Sequence, residues 1–229
     1  MGTEVSFTRP DAKTLDGYLA EPGRENPPAV VVIQEWWGIN DQIRGVADRL
    51  AAAGYRALVP DLYRGKSTVE AEEAHHLMSG LNFHDAATQD VRGAVQFLKT
   101  RSQKVGVLGF CMGGALTLLA LGAAPEIDAA VVWYGCPPLE NVDPSRIKSP
   151  LLAHWATQDQ FFPIGTVDQL EKKLRDAGVQ HEFYRYLAHH AFANETAVGP
   201  HRIPQTQYDP VWSQQAWDRT FRFLGRRLG

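Results

Sequence analysis

Cys111 stands between two glycines in Gly109-Phe110-Cys111-Met112-Gly113, where a short apolar run gives way to a helical one. This is the G-x-S-x-G spacing of a nucleophile elbow, with sulfur in place of oxygen. The spacing has a steric origin. A strained backbone at the central residue projects its side chain, and small neighbours let strand and helix approach closely. The N-terminus of the following helix would aim unpaired N–H groups and a positive dipole end at the sulfur, favouring a thiolate and holding an oxyanion. A nucleophile of this kind needs a base and an acid that orients the base, in the chain order nucleophile, acid, base. Asp159 follows the apolar run PLLAHW, and His189-His190 follow EFYRYL, so the order is met. A carboxylate-steered imidazole would take the thiol proton, and the thiolate would attack an ester or lactone carbonyl. The pentapeptide alone fits a buried structural cysteine equally well; the three coincidences at strand ends favour the nucleophile. Glu35, followed by Trp36-Trp37-Gly38 after AVVVIQ, adds a second carboxylate at a strand end. Its structural alternative is an ion pair with an arginine such as Arg44.

The elements that must position these groups are legible as periodicities. AVVVIQ (29–34), RALV (56–59), VGVLG (105–109), AAVVWY (129–134), PLLAHW (150–155) and EFYRYL (182–187) read as strands, most of them buried on both faces. Helical spacing runs through 43–54, 86–101, 115–122, 167–178 and 209–228, the last opening on an Asp cap and a proline. Strand alternating with helix predicts a mostly parallel sheet covered on both sides, with EVSFT (4–8) and DGYLAEP (16–22) as an antiparallel hairpin on one edge. Reacting groups in such a sheet gather beyond the carboxyl ends of the strands. The 229 residues carry no repeat or linker, which predicts one α/β domain over 1–229.

Composition excludes several alternatives. Hydrophobic residues make up 44% and charged residues 21%, with a formal net charge of −3 and no basic stripe, against nucleic-acid binding. No apolar segment reaches membrane-spanning length. The start, MGTEVSFTRPDAK, lacks the apolar stretch of a secretory signal, and its Met-Gly opening fits acylation poorly. With two cysteines, Cys111 and Cys136, a reduced cytoplasmic protein is expected. His75, His76, His84, His181 and His201 show no metal-ligand spacing, so neither metal nor cofactor is expected. No phosphate-binding glycine pattern is present either.

Assembled, these residues resemble the dienelactone hydrolase family of the α/β-hydrolase superfamily, through QEWWG (34–38), PDLY (60–63), GFCMGG (109–114), WYG (133–135), the Asp159 loop and HAFAN (190–194). The resemblance covers nearly the whole chain and implies the α/β-hydrolase fold. It makes Cys111 the nucleophile, Asp159 the orienting acid and His190, not His189, the base. It also matches Glu35 to a glutamate that contacts the nucleophile and helps form the thiolate when substrate binds. The expected oxyanion donors are the backbone N–H groups of Met112 and Trp36. The implied activity is hydrolysis of activated carboxylic esters or lactones through an acyl-thioester. Two family arginines that hold a substrate carboxylate are missing: Ala71 aligns with one, with His75 where a tyrosine would be, and Asn194 with the other. Arg64 is the remaining candidate for that charge, or a solvated side chain. Trp37, His75, Tyr134, Phe161, Phe192 and Asn194 are candidate pocket residues, the aromatic ones with Trp36 and Phe162 forming an apolar wall or packing in the core. The Pro-containing stretch 201–210 would cover one edge of the crevice.

The expected partner is a small-molecule ester or lactone, with no nucleic acid or membrane, in a monomer or small homo-oligomer. Competing readings are a general carboxylesterase or thioesterase, a non-catalytic binding module, and a thiol redox protein pairing Cys111 with Cys136.

Overall fold

The computed structural model describes residues 2–200 and 202–229. Met1, of the Met-Gly opening, and His201, weighed as a metal ligand and as the first residue of the 201–210 cover, lie outside the described residues. Eight strands form one sheet: β1 (Thr3–Thr8), β2 (Thr14–Ala20), β3 (Ala29–Ile33), β4 (Arg56–Pro60), β5 (Val105–Phe110), β6 (Ala129–Trp133), β7 (Leu151–Ala156) and β8 (His181–Tyr186). Their order is β1-β2-β4-β3-β5-β6-β7-β8. The β1–β2 hairpin lies at the edge and β2 joins β4 antiparallel, while every later pairing is parallel. The uninterrupted apolar runs account for this. Every residue of β3, β5, β6 and β7 is buried, as strands covered on both faces require.

The helices are α1 (Asp41–Ala52), α2 (Ala71–Ser79), α3 (Phe83–Asp85), α4 (Arg92–Lys99), α5 (Met112–Ala123), α6 (Ile164–Asp176) and α7 (Pro210–Leu228). Strand alternation distributes the core between them. Val30, Val32 and Leu108 pack with α1 and α7, whereas Val31, Ile33 and Val107 pack with α4, α5 and α6. Asp209 caps α7, accepting the Val211 and Trp212 N–H groups at 3.0 Å each. The helix expected over 86–101 differs at its start. A π-helical turn, Ala86–Val91, precedes α4 and carries Asp90, which is drawn inward to Arg9 (2.7 Å) and Arg64 (3.0 Å). Among the described residues no helix is long and apolar enough to cross a membrane.

From β3 the chain first crosses to β4 on one side and then returns to β5 on the other. A crevice opens at such a reversal, beyond the strand ends. Glu35-Trp36 leave β3 there and Cys111 leaves β5 there.

Candidate active site

Cys111 joins β5 to α5 with φ 53° and ψ −117°, a left-handed backbone that costs a β-carbon-bearing residue on the order of 1–3 kcal/mol. The flanking glycines make the turn possible. A β-carbon on Gly109 would collide with the Gly113 carbonyl, and one on Gly113 would collide with the Ile33 and Gln34 carbonyls. Any larger residue would push α5 off the sheet. The close packing also brings the start of α5 against the end of β3. The first N–H groups of α5 have no acceptor within their helix.

The predicted partners converge on this sulfur. His190 Nε2 lies 3.1 Å from Cys111 Sγ, and His190 Nδ1 lies 2.7 Å from Asp159 Oδ2. The other Asp159 oxygen accepts the Phe161 and Phe162 N–H groups at 2.8 and 3.0 Å, so the carboxylate cannot rotate freely. Burial alone would suppress the charge on His190, but the Cys111 sulfur and the Asp159 carboxylate outweigh it and carry the imidazole from 6.5 to about 10. His189 is half-buried. Residues 206–209 brace the histidine loop from behind: Gln207 N–H donates to His190 O, and Asp209 N–H to Phe192 O, each at 3.0 Å. That stretch holds the His190 loop in place.

Glu35 is buried and does not pair with Arg44, which sits on Glu4 and Asp41 at the surface of α1. Its carboxylate oxygens accept from Tyr134 Oη at 3.3 Å and Asn194 Nδ2 at 2.5 Å. Burial pushes Glu35 upward, opposed by the charge on His190 and by those two donors. Cys111 Sγ is hydrogen-bonded to His190 and not to Glu35.

Three of the expected pocket residues are buried. Asn194 is 2% exposed and engaged with Glu35 and Thr196. Tyr134 is fully buried, its ring 5.2 Å from His190, and supports the imidazole from below. Phe192 is fully buried against Tyr134 and Tyr186, because the loop folds it into the core beneath α7. Of the remaining assignments, Phe161 stays 47% exposed with its ring 4.9 Å from His190, and Phe162 packs 5.6 Å from the same imidazole. Trp36 and Trp37 meet edge-on at 5.1 Å, both half-buried. His75 is exposed on α2, 3.5 Å from Ser79 Oγ, and Ala71 is exposed at the start of that helix. The Arg64 guanidinium is committed to Asp90 (3.0 and 3.1 Å) and to the Asp61 carbonyl (2.9 Å).

Cys136 is buried, donates to the Pro137 carbonyl at 3.2 Å, and has its thiol pushed up to about 12 by burial. Neither cysteine is in a disulfide. No cluster of His, Cys, Asp and Glu among the described residues could hold a metal. Sequence reasoning missed one residue at this site. The Tyr63 hydroxyl contacts Met112 Sδ at 3.3 Å, directly behind the turn, although its PDLY motif was already in view.

The model of the dienelactone hydrolase family matches residues 15–228. The chain belongs to the dienelactone hydrolase family. It is 36% identical to "Protein usf" of Aquifex pyrophilus over 239 residues, covering 100% of both chains. It is 31% identical to the "Putative carboxymethylenebutenolidase" of Aquifex aeolicus (strain VF5), covering 98% of each. A crystal structure of a dienelactone hydrolase-like promiscuous phosphotriesterase from metagenomic libraries superposes with a TM-score of 0.85 at 24% identity, covering 100% of this chain and 99% of that one. That likeness speaks for the α/β-hydrolase fold alone. Family membership makes the chain a hydrolase of carboxylic esters or lactones.

Proposed function

We propose that the chain acts as a single α/β-hydrolase domain over 1–229 and hydrolyses neutral, activated esters or lactones through an acyl-thioester on Cys111. The observation that carries this reading is the continuous relay from Asp159 to His190 to Cys111, with links of 2.7 and 3.1 Å. His190 Nε2 takes the thiol proton, and Asp159 fixes the tautomer and balances the imidazolium. The thiolate adds to the carbonyl carbon, and the backbone N–H groups of Met112 and Trp36 receive the developing oxyanion. Each such donor contributes about 2.7–4 kcal/mol to transition-state stabilisation in studied systems. Collapse of the tetrahedral adduct breaks the carbon–oxygen bond, and His190 returns its proton to the departing alkoxide or enolate. Water, deprotonated by His190, then attacks the thioester, releasing the acid and restoring the thiol.

The surroundings of the relay favour a substrate without a carboxylate. Asn194 is spent on Glu35, Arg64 on Asp90, and Ala71 carries no charge. What remains beside the imidazole is the half-exposed Phe161 ring, with the two indoles at the end of β3. The name of the Aquifex aeolicus relative makes an enol-lactone a natural member of the substrate panel. The two unpaired thiols fit a reducing compartment such as the cytoplasm.

Hydrolysis of an aryl ester should stop on iodoacetamide treatment and in Cys111→Ala, and a rapid mix with substrate should add one acyl mass to the wild-type protein. Full turnover by Cys111→Ala would refute the reading.

A further inference from the structure

The loop after β4, residues 61–68, makes contacts on both sides of the nucleophile turn. Its first half is a tight turn. The Asp61 carboxylate accepts the Tyr63 N–H at 3.1 Å and also the Gly65 N–H, and Arg64 and Gly65 have left-handed backbones with φ 56° and 88°. From this turn the Tyr63 hydroxyl meets Met112 Sδ at 3.3 Å, while the Arg64 guanidinium reaches both oxygens of Asp90 at 3.0 and 3.1 Å. The second half lies along the loop that leaves β3. Thr68 N–H donates to the Trp37 carbonyl at 2.9 Å, and Ser67 pairs with Gly38 in a single antiparallel bridge. Gly38 has φ 86°, and a β-carbon there would collide with the Lys66 carbonyl and with Ser67. Only glycine lets the two loops lie this close.

One loop thus touches Met112 through a side chain and the two residues after Trp36 through the main chain. A backbone N–H is aimed by the peptide units beside it, and an oxyanion donor must be fixed in direction before charge develops. The loop is itself anchored. Asp90 is buried in the π-helical turn and also accepts Arg9 at 2.7 Å, and Arg9 in turn holds Asp11 and Asp85. Turns of this kind occur frequently at functional sites.

We propose that the loop 61–68, pinned to Asp90 by Arg64, is a positioning brace for the oxyanion-binding amides, holding Trp36 through Trp37 and Gly38 and holding Met112 through Tyr63. The inference rests on the nucleophile and oxyanion donors proposed above and adds what keeps those donors in place. Gly38 and Arg64 are positioning residues, since neither acts on the substrate itself.

The test compares two reactions of the same sulfur in the full chain. Hydrolysis of an activated aryl ester passes through a tetrahedral oxyanion. Alkylation by iodoacetamide forms a carbon–sulfur bond as iodide leaves a saturated carbon, and no oxyanion develops. Steady-state kinetics read the first and intact mass reads the second. Cys136 does not compete, being buried with a thiol pushed up to about 12. Gly38→Ala, which forces the two loops apart, should lower kcat and kcat/KM together by roughly ten- to a hundredfold, the size of a misplaced donor. Arg64→Leu should act in the same direction by roughly three- to tenfold, with part of the loss recovered in Arg64→Lys, which keeps a charge for Asp90. Each variant should alkylate at the wild-type rate. A wild-type kcat/KM in both Gly38→Ala and Arg64→Leu overturns the proposal. So does a parallel fall in alkylation, which would mean that the loop supports the relay or the whole fold. If Gly38→Ala does not fold, the Arg64 variants decide. Should alkylated wild-type protein still hydrolyse the ester, the nucleophile assignment fails and takes the brace with it. An inactive alkylated enzyme beside fully active variants removes the brace alone.

Discussion

Replacing Asp159 with asparagine tests the relay at its most constrained point. Asp159 Oδ1 accepts two backbone N–H groups, from Phe161 and Phe162, so the oxygen of the new amide must face them. Its NH₂ group then faces His190 Nδ1, which has to become an acceptor. The ring proton moves to Nε2 and points at Cys111 Sγ, where it can no longer accept the thiol proton. The charge-assisted bond at 2.7 Å is lost as well, a change of about 1.5–3 kcal/mol, or roughly 10- to 150-fold. In a serine triad the same replacement costs about 10⁴ in kcat because of the tautomer. A thiol gives up its proton more readily than a hydroxyl, so the expected loss in kcat/KM lies between these, roughly a hundredfold to a thousandfold. The assay is steady-state hydrolysis of an activated aryl ester, with the alkylation rate of Cys111 measured beside it. Both should fall together. A folded Asp159→Asn enzyme within about threefold of wild type in kcat/KM would show that the carboxylate does not steer the base.

Two stability predictions follow from buried polar groups away from the relay. His154 is fully buried between Tyr186 Oη (2.8 Å) and Thr220 Oγ1 (2.9 Å), and burial together with the Arg219 charge holds it well below 6.5. The unfolded chain therefore binds the extra proton first, so Tm should fall as pH drops below about 6.5, and His154→Gln should flatten that slope in thermal melts. Arg9 is buried against Asp11, Asp85 and Asp90. Arg9→Met should destabilise the fold by about 3 kcal/mol in urea titrations, at the low end for a broken buried pair because Arg64 still reaches Asp90.

The sheet and the relay were legible because their signals are local. The runs around 29–34, 105–109, 129–134 and 150–155 are short and apolar without alternation, as strands covered on both faces are. Gly109 and Gly113 announce a tight turn through their own lack of side chains, and Asp159 and His190 each follow a strand at a distance that only a strand-end loop can span. The π-helical turn was not legible, because the pull on Asp90 comes from Arg9, 81 residues away.

The environment of Glu35 marks the same boundary. Sequence proximity offered Arg44, but α1 presents that side chain to the surface, and the fold brings in Asn194 from 159 residues further on. Asn194, Tyr134 and Phe192 are candidate pocket residues by sequence, and in the fold all three are buried. By itself the sequence determined most of the secondary elements, the family, and which thiol, carboxylate and imidazole to expect together, since each rests on short-range pattern and chain order. Only the tertiary structure decided which side chains around Cys111 and His190 are buried and what each of them is bonded to. That choice depends on how the loops after β6 and β8 fold over one another, and on which distant donor reaches a buried carboxylate first.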